Sequence, residues 1–150
     1  MNHSSRRYRT CRRKNLTNRG LLRIIKKRFY MKNSISILKL GVIGYGDAAG
    51  DFLKAAAYLP DWEPAAVGGR NMKKAAAAAE QFGIRALPVT DLAAADGIDV
   101  IAVATPPGVH AGDAVTAAER GKHLIVEKPL ALTLEDCDRI IAAADAAGVK

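Results

Sequence analysis

Gly41-Val42-Ile43-Gly44-Tyr45-Gly46-Asp47-Ala48-Ala49 is the stretch on which the reading of this chain turns. Its first part closes an apolar run that starts at Ile37, as a strand buried on both faces would. Its second part has the form G-x-G-x-x-A. Beyond it, Ala49, Phe52, Leu53, Ala56 and Leu59 recur at helical spacing until Pro60. A glycine pair between an apolar strand and an amphipathic helix is the context that separates a dinucleotide fingerprint from chance glycines. Gly44 allows the tight turn, and Gly46 lets the backbone approach a pyrophosphate. Ala49 is small enough for close helix–strand packing. The free amides of the first helical turn, spanning Tyr45, Asp47 and Ala48, would then face the phosphates. An ordinary strand–turn–helix is the alternative.

Outward from that turn, short β-branched runs alternate with alanine-rich helical stretches. The second strand is expected at 64–68, a helix over 72–82 stopped by Gly83, and a short strand near 86–89. Pro88 confines that short strand to an edge. Residues 91–95 read as a short helix or turn. A wholly apolar strand at 100–104 precedes a helix over 110–120, and a further strand covers 124–126. The last helix opens with Thr133 as N-cap and Asp136 three residues on, with Leu134, Cys137, Ile140, Ile141 and Ala144 expected on its buried face. Val149-Lys150 read as the start of a sixth strand. Parallel neighbours require crossovers, and those crossovers are right-handed. The fold class is therefore α/β, a doubly wound parallel sheet lacking its sixth strand.

Charge divides the chain in two. The formal net charge is +8. Residues 1–30 hold eleven Lys and Arg and no acid, whereas the remainder has 12 basic against 15 acidic residues. Residues 1–36 are thus read as a disordered basic extension, and 37–150 as the dinucleotide-binding domain. Ser5-Arg6-Arg7 has the pair of a twin-arginine export signal, but Arg23 cuts the apolar cluster that follows and Lys26-Lys27-Arg28 ends it. A cytoplasmic protein is the expectation. A basic tail can bind nucleic acid or anionic lipid. The blander alternative, which is favoured, is an upstream extension of a chain that naturally starts at Met31. No run approaches the ~20 apolar residues of a membrane span. Cys11 and Cys137 form no metal-binding spacing, and no metal site is expected.

Coenzyme choice is read at the end of the second strand, Gly68-Gly69-Arg70-Asn71. An acid there would accept from the ribose 2′-OH of NAD, and none is present. Gly69 leaves space, and Arg70 can grip a 2′-phosphate in two-pronged fashion, so NADP is expected over NAD. In the other reading Arg70 stacks on the adenine or faces solvent.

Two further loops lie at strand ends: Thr105-Pro106-Pro107-Gly108-Val109-His110 and Glu127-Lys128-Pro129-Leu130. Taken with Gly41–Gly46 and with Ala118-Glu119-Arg120-Gly121-Lys122-His123-Leu124-Ile125-Val126-Glu127-Lys128-Pro129-Leu130-Ala131, they make the chain resemble the glucose–fructose oxidoreductase and inositol dehydrogenase (Gfo/Idh/MocA) family over residues 37–150. The resemblance implies hydride transfer between NAD or NADP and a sugar, cyclitol or related polyol. It implies that Lys128 sits beside the nicotinamide as the catalytic residue, relaying the hydroxyl proton or polarising a carbonyl. Glu127 would orient Lys128, Pro129 would shape the loop, and Thr105, Pro106 and His110 would belong to the loop over the coenzyme. Many family members carry a His soon after the glycine turn, where this chain has Gly50-Asp51-Phe52. Family members also continue into an α+β domain that supplies a catalytic histidine, the sugar-binding side chains and the surface for homo-oligomers. A substrate is expected only with that domain, and these residues alone are expected to be inactive. The competing readings are a non-catalytic dinucleotide-binding module and a nucleic-acid binder driven by the tail.

Overall fold

The computed structural model describes residues 37–150, and the basic extension lies outside them. The elements are β1 (Leu38–Ile43), α1 (Asp47–Tyr58), β2 (Trp62–Gly68), α2 (Met72–Glu80), β3 (Arg85–Leu87), α3 (Val89–Ala94), β4 (Val100–Val103), a 3-10 turn (Pro107–Val109), α4 (His110–Glu119), β5 (His123–Val126) and α5 (Leu134–Ala146). The strands form one five-stranded parallel sheet in the order β3-β2-β1-β4-β5. The chain winds outward from β1 to one side and then to the other. The point of reversal, between β1 and β4, is where such sheets open a crevice at the carboxyl ends of the strands.

Side-chain alternation along the strands assigns the helices to faces. Leu40, Val42, Val67, Val100 and Ala102 pack with Phe52, Leu53 and Ala56 of α1 and Ala75 and Ala79 of α2. Ile43, Ala66, Ile101 and Val103 face the other way, onto Leu92 of α3, Ala114 and Ala117 of α4 and Ile140 of α5. All five residues expected on the buried stripe of α1 are buried. On the second face Leu92 fills the space over two glycines: a Cβ at Gly68 would stand 2.6 Å from its Cδ2, and one at Gly41 would stand 3.0 Å from its Cδ1. β2 starts two residues earlier than its apolar pattern suggests. It tolerates Pro64 because β3 pairs only with Ala66–Gly68 and the β1–β2 register shifts at that point. β3 is an edge strand, and Pro88 follows it as the N-cap of α3.

At the opposite end of the sheet from the crevice, the Lys122 ammonium donates to the carbonyls of Ala95 and Ile98 at 2.8 and 3.0 Å. It thereby joins the exit of α3 to the entry of β5. Trp62, also at this end, is 5% exposed.

The last helix departs from its expected face. Thr133 does cap it, accepting from the Asp136 amide at 3.1 Å. Of the five residues expected inside, only Ile140 is buried, while Leu134 is 84% and Ile141 52% exposed. The helix packs chiefly on α4, so its contact stripe is narrow. Val149 is buried, and the Lys150 carbonyl accepts from the Leu124 amide at 2.6 Å, so the edge of β5 already has a partner there.

Candidate functional site

The turn after β1 is shaped by what surrounds each glycine. Gly44 has φ +129°, and a Cβ on it would lie 2.4 Å from the Ala104 carbonyl oxygen. The position therefore demands glycine both for its dihedral and for the close approach of the chain leaving β4. Gly46 is different. It caps α1 with extended dihedrals, no side chain bonds to the helix start, and a Cβ there would meet nothing within 4 Å. The first-turn amides of α1 thus end at open space. That space is a groove of about 580 Å³ lined by Gly44, Tyr45, Gly46, Asp47, Ala48, Gly69, Arg70, Ala104, Thr105, Pro106, Gly108 and Val109. Ala49 is buried and faces the core instead.

The end of β2 is built otherwise than its sequence suggests. The space left by the missing Cβ of Gly69 is taken by the Tyr45 ring at 2.8 Å, while Gly69 itself still lines the groove. Lys74 of α2 lies over that ring, 6.0 Å from its centroid. Asn71 caps α2, accepting from the Lys74 amide at 3.1 Å. The end of β2 itself supplies no carboxylate, but one reaches Arg70 from a distant helix. Asp113 arrives from the first turn of α4, accepting from Arg70 Nη2 at 2.7 Å and from Nη1 at 3.3 Å. Its hydrogen bond holds the Arg70 guanidinium more firmly in its charged form than usual, partly opposed by desolvation. Thr105 Oγ1 donates to the same carboxylate at 2.9 Å. Asp113 is 2% exposed. Sequence reasoning missed it because an Asp in the first turn of a helix reads as ordinary dipole pairing, and only the fold brings it 43 residues from Arg70 into contact.

His110 is likewise turned inward. It is 1% exposed, with Nε2 2.6 Å from the Thr105 carbonyl oxygen and Nδ1 3.0 Å from that of Pro129. It clasps the loop after β4 to the loop after β5. Pro129 follows a cis peptide bond. The Glu127 carboxylate accepts from the main-chain amide of Lys128 at 3.0 Å rather than reaching its ammonium. Lys128 is exposed and does not line the groove. The structure thus brings the glycine turn, Gly69, Arg70, Thr105 and Pro106 around one opening, and leaves Glu127, Lys128 and Pro129 on the neighbouring loop. Among the described residues no cluster of His, Cys, Asp and Glu could hold a metal ion, and no helix is long and apolar enough to cross a membrane.

A model of the GFO_IDH_MocA oxidoreductase family with an NAD-binding Rossmann fold matches residues 38–150. The chain is 36% identical over 118 residues to dTDP-3,4-didehydro-2,6-dideoxy-alpha-D-glucose 3-reductase of Streptomyces violaceoruber, covering 77% of this chain and 34% of that enzyme. It is 31% identical to the scyllo-inositol 2-dehydrogenase (NADP(+)) IolU of Bacillus subtilis, covering 75% of this chain and 35% of the relative. Among solved structures, the WlbA dehydrogenase of Bordetella pertussis in complex with NADH and UDP-GlcNAcA aligns with a TM-score of 0.74 and 29% identity, over 79% of this chain and 35% of that one. The chain spans about a third of the length of the curated relatives it matches.

Proposed function

This chain belongs to the Gfo/Idh/MocA oxidoreductase family, and from that premise we propose that its described residues bind a nicotinamide dinucleotide, NADP in preference to NAD, for hydride exchange with a sugar, cyclitol or related polyol. The observation that carries the reading is the cradle at Gly46: an uncapped helix start with open space where a side chain would stand. A pyrophosphate suits it, because main-chain amides and the helix dipole favour negative charge there. The residues present therefore fit the coenzyme. Gly44, Tyr45, Gly46, Asp47 and Ala48 would hold the pyrophosphate, and Gly69, Arg70 and Asn71 the adenosine ribose. Thr105 and Pro106 would form the opposite wall.

The preference for NADP rests on charge. Arg70 is half exposed, Lys73 and Lys74 open α2, and that helix has no acid in its first turn. A 2′-phosphate gains from all three cations, whereas a 2′-hydroxyl does not. The bound nicotinamide supplies the site that accepts or gives the hydride. Lys128 Nζ takes or returns the proton of the reacting hydroxyl. His110 fixes the loop that carries it by holding the Pro129 carbonyl. The relatives named for NADP and for a sugar nucleotide or inositol support this class of reaction.

Titration of the chain with NADPH and NADH, followed by calorimetry, tests the reading. Saturable binding of both, tighter for NADPH, is expected, with Arg70→Ala removing the difference; no saturable binding of either coenzyme would sink it. Trp62 is a poor reporter, since it lies at the far end of β2. A non-catalytic dinucleotide-binding module is the second reading, favoured by the position of Lys128 outside the groove. In a version of the protein completed by a substrate domain of the family, Lys128→Met separates the two. Loss of polyol oxidation with coenzyme affinity intact supports catalysis, and unchanged turnover supports the module.

A further inference from the structure

Arg70 does not meet the groove as a free cation. Both Asp113 oxygens are occupied, Oδ1 by Arg70 Nη2 and Oδ2 by Arg70 Nη1 and the Thr105 hydroxyl. The carboxylate is buried and does not line the groove of the glycine turn. The pair stands between two openings. Arg70 lines the groove of the glycine turn and also, with Asp113, a second hollow of about 530 Å³, edged by Pro88, Val89, Thr90, Gly112 and Thr116. Any group bound against the end of β2 therefore meets the guanidinium with its countercharge behind it.

We propose that Asp113 is a selectivity residue acting through Arg70, weakening the pull on a 2′-phosphate so that the site accepts both NADP and NAD. This rests on the coenzyme reading above. The Nη1/Nη2 fork is one of the faces of arginine that match phosphate in two-pronged fashion, and here a carboxylate already fills it. A phosphate is left with the remaining Arg70 N–H groups and lies near a second anion. Because Asp113 is almost fully buried, solvent and salt screen its charge less than they would at the surface. The repulsion acts on a phosphate and spares a neutral ribose hydroxyl. NADP loses part of its advantage, and NAD loses nothing.

The test compares the ratio of NADPH to NADH affinity in the wild-type chain, in Asp113→Asn and in Asp113→Ser, by calorimetry at fixed ionic strength. Asparagine keeps the size and one acceptor for Arg70 or Thr105 while removing the charge. Serine is the second neutral variant should asparagine disturb folding. A merely structural role would weaken both coenzymes together and leave the ratio alone. The ratio is expected to rise by roughly five- to tenfold in either neutral variant, chiefly through tighter NADPH binding. In the wild type it is expected to stay below about tenfold. An unchanged or lower ratio in the folded variants overturns the proposal while leaving the coenzyme reading in place. So does a wild-type ratio above about a hundredfold. Absence of saturable binding to the wild type overturns both.

Discussion

The two sides of the crevice are made in opposite ways. The turn after β1 is contiguous in sequence, consists of backbone and small residues, and ends in unfilled space at Gly46. The loop after β4 is a closed network of side chains gathered from β2, α4 and the β5 loop, in which Arg70, Asp113, Thr105 and His110 are bonded to one another or to carbonyls. An open cradle costs little to keep and binds through amides that every residue owns. A closed network buries polar groups, and each depends on its partners. Substitutions facing the open cradle should therefore separate binding from stability, and substitutions that press on the packed loop after β4 should not.

The sharpest attempt to break that contrast is a pair of identical changes two residues apart. Gly44→Ala drives a methyl into the Ala104 carbonyl at a left-handed backbone position. It should destabilise the fold by at least about 3 kcal/mol in denaturant titration. Gly46→Ala should cost under about 1 kcal/mol of stability. It should still weaken coenzyme binding by about tenfold, the equivalent of a lost hydrogen bond to a charged group. Equal stability losses at the two positions would dissolve the distinction. Next comes His110→Ala in the closed network. It empties a fully buried site and strips two carbonyls of their contact. About 3 kcal/mol of stability should go with it, read as a drop in the melting temperature. Thr105→Val keeps the shape and removes one hydroxyl from Asp113. About 1 kcal/mol is expected, and a neutral result would mean the network is looser than its distances imply.

The smallest effect lies at the far end of the sheet from that network, at His123. Burial lowers its pKa, with Asp99 opposing. Its Nδ1 accepts from the Lys150 amide at 3.1 Å, which a protonated ring cannot do. A depressed histidine contributes stability that is complete above the unfolded value near 6.5 and is lost as pH falls from there through the folded value. Melting temperature should sag slightly on acidification below about pH 6.5. The His123→Gln variant should sag less; an identical pH profile in the two would remove His123 from the account.

How much of this was legible in the sequence follows the same divide. Strand order apart, the sheet could be read because its signals are local: β-branched runs, alanine-rich helices, and a glycine pair whose spacing is set by a short turn. The α1 face was right for the same reason, since a helix lying on a sheet buries a wide stripe. The α5 face was not, because a helix packed chiefly on one neighbour buries little, and periodicity does not reveal how a helix is shared among neighbours. At the site, Gly44–Ala49 could be recognised from its order alone. The role of Gly69 could not, because the residue that needs the space, Tyr45, comes from another turn. Asp113 was invisible as a partner of Arg70, and so were the bonds that turn the Thr105 hydroxyl and the His110 ring toward the protein.

Lys122 shows a vulnerability far from the crevice. Its charged nitrogen is a rivet through two carbonyls where α3 leaves and β4 begins, and it depends on keeping its protons. Acylation of this amine would take away both its charge and its capacity to hold two acceptors at once, loosening the amino-terminal edge of the sheet. The same chemistry at the solvent-facing amines of Lys73 or Lys74 would leave the scaffold standing.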